Sequence, residues 1–424
     1  MNRIHVDIME LNAIKFSSYR GLMHSSQSLV RCYFSFIVRL LYWMLRFRWK
    51  LPLWKDLLFV APTLNNRKAL EPIWVHFSED NYMVLYNLRE QLPYSRIYFL
   101  SMLHLFDFHR AYCKVPEKDK PLVKYFFSDF ILAYGTYITI RQILKKNSQL
   151  KVIVFSNDHN MVNRCLIELA PSYHIKTLYT QHASITERFP SLLFSYSFLD
   201  GLDAFNKYKT IGSIVGKVFL SGNPRFDIIS RLKKNNGKAI GIAINIHDDI
   251  DILKNVCSYL SENVNEEIII RPHPSLEQIP VWNDFSKAGY LISYPSKENS
   301  FEFVGKLRLL IANESSIHLD SNLMNTPSVL YNFSMNPVMD WYSYVKNGLM
   351  PICSTKEDLL KYIQSGGKMD VERVRYYNAA FNTSYEGRVG IVIADFVKCM
   401  LQDIEMNSVS GVFHLHKDGY YCYV

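Results

Sequence analysis

The sequence predicts an α/β protein of two sequential domains, each a parallel sheet wrapped by helices, the two facing a cleft. Three observations carry this expectation. Short β-branched and apolar runs alternate with helical stretches at the spacing of βαβ units. The alternation halts at the polar, turn-forming Lys233-Lys234-Asn235-Asn236-Gly237 and restarts beyond it. Several runs end in basic, amide or hydroxyl side chains, and the carboxyl ends of strands are where open α/β sheets bind ligands. At 424 residues the chain is also too long for one simple core.

Composition narrows the class. With 49% hydrophobic and 21% charged residues the chain reads as a folded globular protein. No uncharged apolar run reaches the roughly 18 residues of a spanning helix, and the polar start has no apolar core of a secretory signal. Seven cysteines are scattered without a C-x-x-C pair, which fits reduced thiols better than a disulfide framework or a zinc site. The net charge of +9 is concentrated at one end. Residues 1–68 hold eleven Lys and Arg against Asp7, Glu10 and Asp56, a net +8. The body is then near neutral, so a general nucleic-acid binder, which needs basic clusters there, is not expected.

Residues 1–55 form a basic amphipathic N-terminal segment. A helix over 28–49 places Arg31, Ser35, Arg39 and Arg46, with Tyr42, in one stripe, while Leu29, Phe34, Phe36, Ile37, Leu40, Leu41, Trp43, Leu45 and Phe47 make the rest apolar. That pattern suits an anionic membrane surface. It also suits a core helix whose arginines reach out to solvent. The first α/β domain, 56–235, has apolar runs at 57–61, 72–77 and 97–102 and a long helical stretch over 121–146. Then come a strand over 151–155, a helix over 161–169, and strands over 175–180 and 217–220. The second, 236–400, alternates strands at 239–244, 267–270, 290–294, 309–312 and 328–332 with helices at 249–260, 281–288 and 315–324. A helical tail begins near residue 357, and 401–424 is a C-terminal tail.

The chemistry-bearing residues sit after these strands. Arg271-Pro272-His273-Pro274 follows Glu267-Ile268-Ile269-Ile270, and the prolines fix the backbone on either side of His273. Arginine offers paired donors to phosphate oxygens, and an imidazole N–H can stabilise a leaving diphosphate. Asn313-Glu314-Ser315-Ser316 places hydroxyls and free N–H groups at a helix start, an anion site or an ordinary N-cap. His182, after Thr180-Gln181, has the pKa to take a proton from a hydroxyl near neutral pH. Glu187 and Arg188 follow it. Ser221-Gly222-Asn223-Pro224-Arg225-Phe226-Asp227 makes a turn into a helix, with Arg225 reaching for the cleft and Asn223 and Arg225 candidates for binding the donor phosphates or nucleotide. Asp158 lies in the N-cap-rich turn Ser156-Asn157-Asp158-His159. His247, with Asp248 and Asp249, ends the first strand of the second domain, but its spacing matches no tight metal-ligand set. G-x-S-x-G, G-x-x-x-x-G-K-[ST] and G-x-G-x-x-G after a strand are all missing.

Gln-His after a first-domain strand, Gly-Asn-Pro-Arg-Phe-Asp, Arg-Pro-His-Pro and Glu-Ser-Ser-x-x-x-Asp together resemble bacterial cell-surface polymer transferases of the two-domain GT-B fold. The nearest groups are CDP-glycerol glycerophosphotransferases of teichoic-acid type and related capsule or lipopolysaccharide glycosyltransferases. The resemblance covers about residues 150–335. It implies His182 as acceptor base, although Ala183 stands where the family has glycine. It implies Arg271, His273, Ser315 and Ser316 on the donor phosphates, Glu314 at a polar family position and Asp320 as the downstream acid. It further implies no bound metal or cofactor, a CMP-, CDP- or UDP-linked donor and a lipid-linked or polysaccharide acceptor. A peripheral place on the inner face of the plasma membrane follows. Two rivals stand beside it: a nucleotide-sugar 2-epimerase on the same fold, and a non-catalytic glycan-assembly protein.

Overall fold

The computed structural model describes residues 7–20, 23–232, 237–404 and 411–423. The chain divides into two compact units, one of residues 1–225 with 388–424 and one of 226–387. Both are α/β bodies with a largely parallel sheet.

Among the described residues the first unit carries eight strands. These are β1 (Leu57–Val60), β2 (Tyr82–Leu85), β3 (Val152–Phe155), β4 (Lys176–Thr180), β5 (Tyr196–Leu199) and β6 (Lys217–Leu220), with β13 (Phe413–Leu415) and β14 (Tyr421–Tyr423) from the chain's far end. Their order is β13-β14-β6-β5-β4-β3-β1-β2. β1 and β3 are buried at every position, as expected of parallel strands covered on both faces. The register puts Phe155 beside Tyr179 and Leu199 beside Leu220, so the strands of this stretch end nearly level.

The N-terminal helix is shorter than predicted, Leu29–Leu45, capped by the Ser28 side chain. Cys32, Phe36, Leu40 and Trp43 form a narrow buried stripe on it. Trp43 and Phe36 pack on Tyr94 and Tyr98 of the helix Tyr94–Leu103, with ring centroids 5.0 and 5.6 Å apart. The remaining surface stays open: Val30, Phe34, Leu41 and Leu45 are each more than half exposed. The helix therefore holds to the first unit by one edge and leaves a wide apolar face uncovered.

The second unit has β7 (Ala239–Ala243), β8 (Ile268–Arg271), β9 (Leu291–Ile292), β10 (Leu307–Ala312), β11 (Ser328–Tyr331) and β12 (Ile352–Cys353), ordered β12-β11-β10-β7-β8-β9 and parallel throughout. Alternate strand residues feed two cores. Ile240, Ile242, Ile270, Leu309 and Ile311 pack with Leu253, Trp282 and Phe285. Ala239, Ile269, Leu310 and Leu330 pack with Phe303, Leu319 and Tyr377 on the other face. Gly241 allows that second packing: a Cβ there would lie 2.2 Å from Leu307 Cδ1.

Several expectations are corrected. The stretch 121–146 is broken into Lys120–Tyr125, Phe127–Ile131 and Ala133–Lys146. The apolar run at 72–77 begins in the helix Leu64–Trp74 and leaves it at residue 75, and the run at 97–102 lies within the helix Tyr94–Leu103. The unit boundaries fall at 225/226 and 387/388 rather than at 235 and 400, because the helix Val389–Leu401 packs on Leu64–Trp74 of the first unit. Lys233–Asn236 of the expected boundary lie outside the described residues. The C-terminal tail is not helical to its end: it closes with the β13–β14 hairpin, whose second strand pairs with β6.

Candidate functional site

In the first unit the ends of β3, β4, β5 and β6 lie side by side and are followed by polar residues. His182 Nδ1–H donates to the Ser156 carbonyl at 2.5 Å. A neutral imidazole carries one N–H, so this bond leaves Nε2 as the acceptor. Burial lowers the pKa of His182; the Ser156 carbonyl opposes that shift, and the positive Arg225 adds to it. The ring is neutral near pH 7 and fit to act as a base.

Amides hold the loops around it. Asn223 Nδ2 donates to the Gln181 carbonyl at 3.0 Å, and Asn223 Oδ1 accepts the Arg225 N–H at 3.1 Å. Gln181 Oε1 accepts the Asp200 N–H at 2.7 Å. The Tyr423 hydroxyl on β14 donates to the Ser221 carbonyl at 2.7 Å, tying the C-terminal hairpin to the same loop.

Two carboxyls share this edge. Asp158 is buried, with Arg164 Nη1 at 3.4 Å and His159 Nε2 at 3.3 Å. Burial pushes it up to about 7 against the pull of Arg164. Asp200 is pushed to about 7 by the same cause, against Arg225 and the Asn223 amide. His159 is held down near 4 by burial and by His182, and its ring lies 6.1 Å from that of His182. Asp158 and His182 of the expected residues lie on this edge, and so do Asn223 and Arg225, which were expected on the donor nucleotide. Sequence reasoning missed Asp200, His159 and Arg164; an acid closing the apolar run Tyr196-Ser197-Phe198-Leu199 was the available signal for Asp200.

In the second unit β7, the first strand, lies between β8 and β10, so the strand order reverses there. That is the usual ligand crevice of an open α/β sheet. The two loops flanking it are tied together: Asn245 Nδ2 donates to the Glu314 carbonyl at 2.9 Å, and Asn313 Nδ2 to Asp248 Oδ1 at 2.7 Å. Ser315 Oγ accepts the Ile317 N–H at 3.3 Å, while Ser316 makes no side-chain cap bond; both are half-buried. His247 is exposed on the β7 loop. His273 Nδ1 accepts the Ser275 N–H at 3.2 Å and its hydroxyl at 2.7 Å, so Nε2 carries the ring proton. His273 is thus a donor, the opposite tautomer to His182.

Three predicted residues are engaged in holding the unit together. Arg271 ends β8 rather than following it and is 9% exposed. Its Nη1 donates to Ser293 Oγ at 2.8 Å and its Nη2 to the Glu298 carbonyl at 3.1 Å. Glu314 accepts the N–H groups of Met339 and Trp341, both at 2.8 Å. Asp320 accepts the Ser300 hydroxyl at 3.1 Å. Among the described residues no group of three or more His, Cys, Asp or Glu is arranged to hold a metal, and no helix is long and apolar enough to cross a membrane.

No family model and no curated protein matches the sequence. Several solved structures align along most of the chain at low identity. A UDP-N-acetylglucosamine 2-epimerase is 10% identical over 84% of this chain and 98% of its own, with a TM-score of 0.49. The wall teichoic acid polymerase TagF is 12% identical over 89% and 99%, with a TM-score of 0.47. MnaA of S. aureus, solved with UDP, is 14% identical over 82% and 98%, with a TM-score of 0.46. What this chain does is read from its own strand-end residues.

Proposed function

We propose that the protein is a GT-B-type transferase that moves a glycosyl or alditol-phosphate group from a CMP-, CDP- or UDP-linked donor to a lipid-linked or polysaccharide acceptor. The observation that carries this reading is the locked tautomer of His182, whose Nδ1–H is held by the Ser156 carbonyl. In the proposed step the acceptor hydroxyl gives its proton to His182 Nε2 as its oxygen attacks the transferred group. For a sugar donor the bond from the anomeric carbon to the phosphate oxygen breaks with inversion, and the nucleoside diphosphate leaves from a CDP- or UDP-linked sugar or the nucleoside monophosphate from a CMP-linked one. For an alditol-phosphate donor attack is on phosphorus and the nucleoside monophosphate leaves. His273 Nε2–H and the hydroxyls of Ser315 and Ser316 take the charge on the departing phosphate. Arg271 braces the Ser293 and Glu298 segment of the same unit, and Asn223 holds the loop that carries the base.

The helix Leu29–Leu45 supplies the contact with an anionic membrane surface, with Phe34, Leu41 and Leu45 entering the interface and Arg31 and Arg46 meeting the headgroups, while Arg39 donates to the Ser128 hydroxyl of its own unit. On this reading the protein works at the inner face of the plasma membrane.

A second reading, a nucleotide-sugar 2-epimerase, is favoured by one observation: Asp158 and Asp200 are carboxyls poised near 7 on the edge that carries His182. One experiment separates the two. The protein is first screened for thermal stabilisation by CMP, CDP, UDP and GDP, where saturation at about 100 times the dissociation constant adds about 2.7 kcal/mol. The matching nucleotide-linked donor is then incubated with and without acceptor. Release of nucleotide only with acceptor supports the transferase. Conversion of the donor to its epimer without acceptor overturns it, and no stabilisation by any nucleotide overturns both.

A further inference from the structure

The strand order gives the first unit a crevice of its own. β1 lies between β3 and β2, so the order reverses at β1, and the loops after β1 and β3 flank the reversal. The two loops are joined: the Ser156 hydroxyl donates at 3.4 Å to the carbonyl of Asn66, in the first turn of the helix that follows β1.

His159 stands in the loop after β3, just before the helix Met161–Leu169. Its backbone N–H is held by Asn157 Oδ1 at 2.6 Å, and its ring meets Phe189 edge to face with centroids 4.5 Å apart. Its Nε2 lies 3.3 Å from Asp158 Oδ1, while among the described residues its Nδ1 has no hydrogen-bond partner. The His159 side chain is 27% exposed and that of Asp158 only 2%, so the imidazole, not the carboxyl behind it, is the group a ligand meets.

Two imidazoles are thus tethered by one nitrogen each to the same turn. His182 is held through Nδ1 on the Ser156 carbonyl, and His159 through Nε2 beside the Asp158 carboxyl. The two nitrogens of an imidazole diverge across the ring, so the second nitrogen of each points away from that turn. With ring centroids 6.1 Å apart, one small molecule can reach both. Burial keeps both rings neutral near pH 7, and His182 presses His159 further. A neutral imidazole pair offers hydrogen bonds to hydroxyls and no charge to a phosphate or carboxylate. A hydroxyl both donates and accepts, so it pairs with His159 Nδ1 whichever of Asp158 and His159 holds the proton between them.

We propose that His159 Nδ1 binds a second hydroxyl of the acceptor, beside the hydroxyl that loses its proton to His182 Nε2, and that the acceptor is therefore a vicinal diol, an alditol or a sugar with hydroxyls on adjacent carbons. This rests on the transferase reading. His159 is a positioning residue: it fixes the acceptor and takes no part in the proton transfer.

The test uses the full chain and two variants checked for unchanged circular dichroism. His159→Phe keeps an aromatic ring against Phe189, and His159→Asn returns a polar atom to the place of Nδ1. With the donor selected by the stabilisation screen, nucleotide release is measured against the concentration of glycerol, propane-1,2-diol, propane-1,3-diol and propan-1-ol. In wild type the two vicinal diols should have a KM about fivefold or more below that of propan-1-ol. His159→Phe should raise the vicinal-diol KM by roughly five- to tenfold with kcat changed less than about threefold, and His159→Asn should restore most of the difference. Propan-1-ol should be indifferent to both variants. Equal KM for diols and propan-1-ol in wild type, or an unchanged vicinal-diol KM in His159→Phe, overturns the diol site and leaves the transferase standing. A fall in kcat shared by all four alcohols overturns it likewise, because His159 then acts on the base or the fold. Release with a lipid-linked or polysaccharide acceptor but with none of the four alcohols overturns the inference alone. No nucleotide stabilisation and no release with any acceptor overturns both.

Discussion

Asp158→Asn tests the electrostatics of the first-unit edge without any substrate. In the folded chain Asp158 is buried and its carboxyl is held up to about 7, where an unfolded aspartate titrates near 3.9. Between those values the native state holds about one proton more than the unfolded state, so stability falls as pH rises, by at most about 1.4 kcal/mol per pH unit. Integrated from about pH 5 to about pH 8 this gives a loss of roughly 2.5 kcal/mol that asparagine, uncharged throughout, does not suffer. His159, held near 4, acts in the opposite sense, because its unfolded form binds the extra proton. Comparing variant with wild type at each pH removes most of that contribution. The measurement is urea unfolding of both proteins at three pH values across the range. Asp158→Asn should gain on wild type by about 2 kcal/mol or more on going from acid to mildly alkaline pH. A difference that stays constant with pH to within about 0.5 kcal/mol would mean Asp158 titrates normally, and the neutral-carboxyl account of the edge would be wrong.

Other outcomes follow from the same geometry. His182→Ala should lower transfer by roughly 10²- to 10⁴-fold while nucleotide stabilisation persists, and the acid limb of the wild-type rate profile should lie below the ordinary histidine value near 6.5; an unchanged rate excludes His182 as the base. Asn223→Ala removes the donor on the Gln181 carbonyl and should destabilise the first unit by about 1–3 kcal/mol in chemical unfolding. Phe34→Asp combined with Leu41→Asp changes residues 69% and 59% exposed, so the fold should survive, whereas sedimentation with anionic vesicles should be lost. Equal sedimentation of that variant would sink the membrane role of the helix.

What was legible in the sequence followed the strength of local pattern. The helix Met161–Leu169 and the strand Lys217–Leu220 stand where apolar period and flanking turn residues put them. The strand ends carrying His182 and His273 were readable because parallel strands bury continuous apolar runs that stop at the sheet edge. β2 and β5 were not assigned, since Tyr82–Leu85 and Tyr196–Leu199 are four-residue runs whose pairing with β1 and with β4 and β6 is not a local property. Arg271 looked like a phosphate ligand by type and position, yet its side chain donates to Ser293 and Glu298, partners more than twenty residues away. The tautomers of His182 and His273 depend on the Ser156 carbonyl and on Ser275, and only the first of these is remote in sequence.

The chain leaves the first unit at residue 225 and re-enters it at 388, which makes the second unit an insertion between β6 and the strand that pairs with it. During synthesis residues 226–387 are complete and free to collapse on local contacts while the earlier body still lacks an edge. β6 must wait some two hundred residues for Tyr421 and Cys422 to cover it. Until then an unpaired parallel edge next to the Ser221–Arg225 loop is open to other strands. Maturation of the histidine-bearing edge therefore comes after the second unit has been made, and mutations that slow hairpin docking should lower the yield of competent protein before they alter its final stability.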